Sequence, residues 1–429
     1  MDYIADLHVH SPFSRAVSRD STLAGLLAWA RVKGIQVVGS GDFTHPGWFS
    51  ILREELEPAE PGLFRLRDEG RVPSILTGQA PTSAPIRFLL SAEISCIYKR
   101  HGKLRKVHHL LYVPDFASAE RINARLAAIG NLTADGRPIL KLDSRNLLEI
   151  LLEHAPEGFL VPAHVWTPWF SLFGSRSGFD SVEECFGDLA PHIFALETGL
   201  SSDPAMNRLI SGLDRFAMIS NSDCHSPARL GREANLFSTD LDFHSLRDAI
   251  RANRQDLFRG TVEFFTEEGK YHLDGHRQCK ARLDPDESRR LGGLCPVCGG
   301  PVTIGVRHRI MELADRELPL FPEGAPLVYS LVPLAEILGE MLGAGPGTKR
   351  VMDVYCRAVR RFGSEFGLLL HASVEEIGEW WPLLGEAVTR LRQGRVEIRA
   401  GFDGEYGVVR LFADGELGER RSNVPPGPA

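Results

Sequence analysis

Short apolar runs alternate with amphipathic helical patterns through residues 1–265. The run from Tyr3 to Val9 reads as a strand, and TLAGLLAWARVKG after it reads as a helix. There Leu23, Leu26, Leu27 and Ala30 form an apolar face and Gly34 suits the helix end. Further strand-like runs are IQVVGSG, RFLLSAEISCIY, VHHLLYV, FLVPAHV, IFALET and FAMISNS. Helical stretches near residues 117–129, 144–154 and 244–253 separate several of them. Alternating strand and helix predicts an α/β fold with a largely parallel sheet, open or closed into a barrel. One connection breaks the pattern: KRHGKLRK, centred on Gly102, is too short for a crossover and predicts a hairpin.

Beyond residue 265 the character changes. Residues 271–308 are rich in turns, His and Cys, and the proline-bearing stretch 316–328 reads as a linker. LVPLAEILGEMLG and TKRVMDVYCRAVRRFGSEFG read as helices, and RVEIRAGFDGEYGVVRLF as a late hairpin turning near Gly404. The tail RRSNVPPGPA is expected to fray. This divides the chain into 1–265, a small metal-binding element at 266–309, and a mostly helical region at 310–429.

The length of 429 residues fits that division, since single cores rarely grow past ~250 residues. A 43% hydrophobic and 24% charged composition excludes a fibrous or wholly disordered chain. No apolar run approaches the ~18 residues of a membrane span, and the amino terminus carries no secretory pattern, so a cytoplasmic location is expected. A net charge of −7 counts only weakly against nucleic acid, because a basic groove can be local and bound cations are not in the sum. Of seven cysteines, Cys96, Cys185, Cys224 and Cys356 stand alone and suit reduced thiols, whereas Cys279, Cys295 and Cys298 cluster.

The strand-like runs carry the candidate chemistry. His8 and His10, at i and i+2, leave one face of the first strand. The second runs out into Asp42 and His45, the third holds Glu93, and the fourth holds His108 and His109, of which one should point inward. The fifth ends at His164, the sixth offers Glu197, and the seventh ends in Asp223 and His225. Strand ends are where barrels and doubly wound sheets place catalytic groups. So many imidazoles and carboxylates in one cavity require cations to compensate them. The donor count implies two or three divalent metals (Zn, Mn, Mg or Fe), an arrangement suited to phosphate-ester hydrolysis. Separately, His276, Cys279, Cys295 and Cys298 have the spacing of a closed tetrahedral site for one structural zinc, with His272 and then His308 as alternative fourth ligands.

The set DLHVHS, SGDFTHPG, Glu93, HHLL, PAHVW and NSDCHS resembles the PHP (polymerase and histidinol phosphatase) family. The resemblance implies a distorted seven-stranded (β/α) barrel binding up to three metals. It implies His8, His10, Glu93, His109, His164, Asp223 and His225 as ligands, His109 being chosen because it stands directly before the Leu-Leu pair. The second motif departs from the family: Asp42-Phe43 replaces an Asp-His pair, with His45 two positions on, so Asp42, His45 or both reach the metal. Glu197 is either a ligand or a support.

Over nearly the whole chain, SPFSRAVSRD, GDFTHPGW, VWTPWFSLFGSRSGFDS, DGHRQC…CPVCGGPVTIGVRHRI and SLVPLAEILGEMLG resemble the endonuclease Q family. That implies a DNA repair endonuclease, located at the nucleoid, that nicks 5′ to deaminated bases (uracil, hypoxanthine, xanthine) or abasic sites. Asp223 and His225 become the catalytic candidates. Reading a damaged base requires flipping it out of the duplex. Trp169, Phe170, Phe173 and Arg176, following His164, are candidates to receive it, and Arg15 to hold phosphate. The basic hairpin KRHGKLRK is either solvated surface or a DNA contact. A small-molecule phosphatase of the histidinol-phosphate type, or an inactive PHP module that only binds DNA, are the alternatives.

Overall fold

Strand β1 (Asp2–Asp6) leads into helix α1 (Leu23–Lys33). Thr22 caps α1 by accepting from the Gly25 N–H, and Gly34 ends it at φ +86°, a conformation open to glycine without steric cost. Leu23, Leu26, Leu27 and Ala30 are buried, as their spacing predicts. Then come β2 (Val37–Gly39), α2 (Pro46–Glu55), β3 (Arg87–Arg100), β4 (Lys103–Val113), α3 (Phe116–Ala127) and α4 (Ser144–His154). Strands β5 (Phe159–Pro162), β6 (Ala195–Glu197), β7 (Ala217–Ile219) and β8 (Ala234–Ser238), helix α5 (Phe243–Ala252) and β9 (Phe258–Glu263) complete the α/β region. These elements come from a computed structural model that describes residues 1–75, 84–418 and 420. The tail from 421 onward, expected to fray, lies outside them.

Strands β1, β2 and β3 are parallel neighbours, while β4 pairs antiparallel with both β3 and β5. The predicted hairpin is present: Arg100 faces Lys103, and His101 and Gly102 both have positive φ, the geometry of a tight two-residue turn. Strands β6 and β7 form a separate parallel pair. The sheet is more mixed than expected, because β8 joins β1 antiparallel and β9 joins β8 antiparallel. Neither was legible as a strand: ANLFS places Asn235 in a fully buried position. There the Asn235 side chain accepts from the Ser220 N–H at 2.9 Å and donates to the Ser220 carbonyl at 2.7 Å.

The Cys-rich element is a small antiparallel pair, β10 (Asp274–His276) and β11 (Ala281–Leu283). In the stretch read as linker, residues 316–326 are irregular, but β12 (Leu327–Ser330) pairs in parallel with β9 and extends the main sheet. Helices α6 (Leu334–Leu342), α7 (Lys349–Phe362), α8 (Val374–Trp380) and α9 (Pro382–Arg392) follow, then the late hairpin β13 (Glu397–Arg399) and β14 (Val408–Arg410). Val351, Val354, Tyr355, Ala358 and Val359 give α7 its buried face. The helical region is tied to α1 by a buried ion pair, Lys33 Nζ to Glu365 Oε2 at 2.7 Å, and Glu365 also receives the Leu334 N–H at 3.0 Å. Removing one partner of such a pair typically costs about 3–5 kcal/mol, since the other is left buried and uncompensated. No helix among the described residues is long and apolar enough to cross a membrane.

Candidate metal centre

Just beyond β1, Val9 pairs with Cys224 in the segment after β7. That pairing carries Asp223 to the two histidines flanking Val9. Asp223 Oδ1 lies 3.0 Å from His10 Nε2 and 3.5 Å from His8 Nε2. Glu93, on β3, places Oε2 at 3.2 Å from His10 Nε2 and 3.6 Å from His8 Nε2. Its Oε1 faces His108 Nδ1 at 2.6 Å and His164 Nε2 at 3.1 Å. Two donor sets therefore share one carboxylate: His8, His10, Glu93 and Asp223 on one side, and Glu93, His108 and His164 on the other.

The donors fit divalent cations. His8 Nε2, His10 Nε2 and Asp223 Oδ1 are buried and have no hydrogen-bond partner, although they crowd one another. Leaving a buried polar atom unpaired costs about 1–3 kcal/mol, so three aimed at one point are arranged for a cation. Mixed imidazole and carboxylate donors suit Zn, Mn or Fe better than Ca.

A carboxylate stands behind each imidazole of the first set. Glu197 Oε1 lies 3.0 Å from His8 Nδ1 and is itself held by the Asn221 side chain at 2.9 Å, while its Oε2 accepts the His164 N–H at 2.9 Å. Asp42 Oδ1 lies 3.1 Å from His10 Nδ1, and its Oδ2 accepts from the Ser11 N–H, the Ser11 hydroxyl and the Ser14 hydroxyl at 2.7, 2.6 and 2.9 Å. These partners keep the proton on Nδ1 and the lone pair on Nε2. Three residues here hold left-handed backbone: Asp42 at φ +49°, His164 at +29° and Asp223 at +45°. Such strain persists only where surrounding contacts over-determine it, and it concentrates at functional sites.

Electrostatics follow from this crowding. Burial opposes charge on each member, but for His8, His10, Glu93 and Asp223 the attraction of opposite charges outweighs it. Glu197 and Asp223 raise His8 well above the usual imidazole range, and Asp42 and Asp223 do the same for His10. Despite its burial, Glu93 is held well below the carboxylate range by His108 and Arg137. Asp223 is likewise lowered, by His8 and His10.

Several expected residues sit elsewhere. His109 is not a member of either set. Glu93 pairs across the hairpin with Leu110, so even-numbered residues of β4 share its face and His109 points the other way. There its Nε2 bonds the Ser144 hydroxyl at 2.7 Å, its ring meets Phe186 edge-on, and burial lowers it to about 3. His108 takes its place, and burial brings that ring down to about 4. Asp42 supports His10 from behind, with Phe43 fully buried beside it. His45 begins α2 and directs Nε2 to the Thr133 carbonyl at 3.3 Å, so it does not reach the cluster. His225 lies at the edge: its Nδ1 is 3.0 Å from the Asp223 carbonyl, and its ring centre is 4.9 Å from that of His10. Arg137, which the sequence reading passed over, places Nη1 at 3.1 Å from Glu93 Oε2.

The substrate candidates divide. Trp169 is exposed and packs edge-on against Tyr271 at 5.6 Å. Phe170 lies 4.8 Å from the His108 ring, with the Lys106 ammonium 5.1 Å from its own ring. Phe173 is buried against Trp166 and is a core residue instead, so it offers no surface to a substrate. Arg176 is turned toward the Cys-rich element, reaching the Val302 carbonyl at 3.3 Å. Arg15 is largely exposed, 3.4 Å from Asp135. In the basic hairpin, Arg105 is buried on the Gly178 carbonyl and the Phe179 ring, and Arg100 holds the Cys185 carbonyl at 2.6 Å, so neither is free surface. The donor sets open onto a cleft of about 1470 Å³ whose walls include His164, Asp223, His225, Arg232, Tyr271 and Tyr406.

His276, Cys279, Cys295 and Cys298 converge as a second cluster, their donor atoms all within 4.8 Å of one another. Although desolvation pushes the Cys295 thiol up, the backbone N–H groups of Cys298 and Val297 hold it at about 6, toward the thiolate a metal takes. His272 instead lines the cleft, and His308 pairs with Asp274 at 2.5 Å.

Residues 333–395, which span α6 to α9, match the family described as MJ0043 C-terminal domain. The uncharacterized protein MJ0043 of Methanocaldococcus jannaschii is 33% identical over 252 residues, which is 57% of this chain but only 31% of that protein. The lesion-specific endonuclease PfuEndoQ from Pyrococcus furiosus superposes with a TM-score of 0.83 and 32% identity, over 96% of this chain and 95% of that one. An endonuclease Q in complex with a 27-mer duplex carrying an abasic lesion at the active site gives a TM-score of 0.83 and 31% identity, over 99% of each chain. With this identity sustained along the full length of both molecules, the chain belongs to the endonuclease Q family.

Proposed function

We propose that the protein is a metal-dependent DNA repair endonuclease that hydrolyses the phosphodiester 5′ to deaminated bases (uracil, hypoxanthine, xanthine) or abasic sites. The observation that carries this reading is the pair of donor sets sharing Glu93, with His164 and Asp223 lining a cleft, in a chain built like endonuclease Q throughout. His8, His10, Glu93 and Asp223 would hold one divalent cation, and Glu93, His108 and His164 a second, drawn from Zn, Mn, Mg or Fe. Cations so held would supply hydroxide near neutral pH and would neutralise charge on the leaving oxygen.

The chain's own residues supply the rest. Glu197 and Asp42 fix the ring orientation of His8 and His10. Asp223 belongs to the first donor set and also lines the cleft. His225, with Nδ1 engaged by a backbone carbonyl, keeps Nε2 to exchange a proton with substrate or solvent. Trp169 and Phe170 offer ring faces to an extruded base beside the donor sets, and Arg15 offers an exposed cation to the backbone.

The α/β region, residues 1–265, is read as a PHP-type seven-stranded barrel, supported by donors at successive strand ends. The Cys₃His cluster in 266–309 is read as a ribbon holding one structural zinc, with no open position for catalysis. Region 310–429 is read as a third unit that lends β12 to the sheet. A substrate of this kind places the protein in the cytoplasm, at the nucleoid. The test is incubation with Mn²⁺ or Mg²⁺ and labelled duplexes carrying one uracil, one hypoxanthine, one abasic site or no lesion. The reading predicts a single nick 5′ to each lesion. Turnover of histidinol phosphate with no lesion-dependent nick overturns it.

A further inference from the structure

The loop of residues 131–138 packs beside the metal centre, with Arg137 against Glu93 and Gly136 against Asp42. The Gly136 N–H donates to the Phe13 carbonyl at 3.0 Å, and the Pro138 carbonyl accepts from the Ser95 N–H at 3.0 Å. The Asp135 carboxylate braces both sides, accepting from the backbone N–H of Arg137 at 3.1 Å and of Arg15 at 3.4 Å. Gly136 presses on Asp42 so closely that a Cβ there would lie 2.4 Å from Asp42 Oδ2 and 2.3 Å from Ser14 Oγ.

This loop closes one side of the centre. Asp42 Oδ2 already accepts three hydrogen bonds and is roofed by Gly136, while Oδ1 faces His10. Phe43 follows, buried and without a donor atom. His45 is engaged with Thr133. Among the described residues no donor set forms around the second motif, so the two sets that share Glu93 offer places for two cations. The same loop then delivers a fixed positive charge. Arg137 sits beside the shared carboxylate and keeps 29% of its side chain exposed. A guanidinium has five donors in a planar fork, and Glu93 engages only part of it.

We propose that Arg137 is a catalytic residue of a two-cation centre, donating to a non-bridging oxygen of the scissile phosphate where a third cation would otherwise stand. The proposal rests on the phosphodiesterase reading above. In the reaction the water oxygen forms a bond to phosphorus and the bond to the 3′-oxygen breaks, leaving a 3′-hydroxyl and a 5′-phosphate. Arg137 keeps its proton and contributes charge alone.

The test compares the parent with Arg137→Ala and Arg137→Lys, each reconstituted with Mn²⁺, by metal content per chain and by hydrolysis of a lesion duplex and of bis(p-nitrophenyl) phosphate. Expected are two barrel cations in every variant and near-parental duplex affinity. Arg137→Ala should hydrolyse both diesters about a hundredfold more slowly, the scale of one lost charge-stabilising donor. Guanidinium chloride should restore part of that loss, and Arg137→Lys should fall between. Parental turnover in Arg137→Ala, loss of a cation from it, or a third barrel cation in the parent overturns the proposal. If the parent spares lesion duplexes but hydrolyses the small diester with this same dependence on Arg137, the lesion reading fails and the role of Arg137 stands. A parent inactive on both overturns both.

Discussion

Asp42→Asn preserves volume and removes one acceptor from a site where every acceptor is used. Asp42 is fully buried and accepts from His10 Nδ1, the Ser11 N–H and the Ser11 and Ser14 hydroxyls. With its amide turned toward Ser11, the new NH₂ meets a backbone N–H that can only donate, at a cost of about 1–3 kcal/mol for a buried unsatisfied group. With the amide turned toward His10, Nδ1 must accept, and the ring proton moves to Nε2. That is the atom 3.0 Å from Asp223 and 3.2 Å from Glu93, so its lone pair is lost to a cation. Partners of this kind are worth roughly 10–100-fold in metal affinity, or about 1.4–2.8 kcal/mol. Calorimetric titration with Mn²⁺ should show the tighter barrel site weakened by that factor, with the number of bound ions unchanged. A lost ion would make Asp42 a ligand and refute the support role. Unchanged affinity would refute the tautomer argument.

Three further outcomes are expected. His108→Gln should remove one barrel cation, while His109→Gln should keep both and lose only folding stability, read by metal analysis and thermal melting; the reverse pattern would undo the register argument. Burial opposes charge on His8 and His10, yet Glu197, Asp223 and Asp42 raise both well above 6.5. Stability from those charged rings is fully present below 6.5 and fades as pH rises through the raised folded values. Cation binding displaces their protons, so Mn²⁺ affinity should climb as pH rises above 6.5, with protons released into buffers of differing ionisation enthalpy; binding without proton release contradicts this. Cys295→Ser should remove the zinc of the Cys₃His cluster while leaving the barrel cations in place, and unchanged zinc content would refute that site.

Much of the centre was legible because its elements are local. His8 and His10 share a face by strand alternation, and the positive-φ turn at His101 and Gly102 was visible as a link too short for a crossover. The choice between His108 and His109 was legible too, but through register rather than motif. Counting back from Arg100 opposite Lys103 sets Glu93 opposite Leu110, and so assigns its face to His108. The neighbouring Leu-Leu pair carries no such information. Arg137 left no signal, because its position depends on the packing of Gly136 against Asp42 across 93 intervening residues of chain, and no periodicity reports that. Strand β8 was hidden for a related reason: Asn235 looks exposed in sequence but is satisfied by backbone groups only once β7 and β8 lie together. The segment after His164 promised three aromatic contacts, yet Phe173 went to the core beside Trp166, since hydrophobicity alone cannot separate a packing ring from a presented one.

The most direct test of the central claim is to strip the barrel cations, return Mn²⁺ stepwise, and follow nicking of a duplex with one abasic site beside its undamaged twin. Two donor sets sharing Glu93 predict that product appears only as the second barrel cation is restored, 5′ to the lesion, with the undamaged duplex intact. Cleavage without added cation, or equal cleavage of the undamaged duplex, would contradict it.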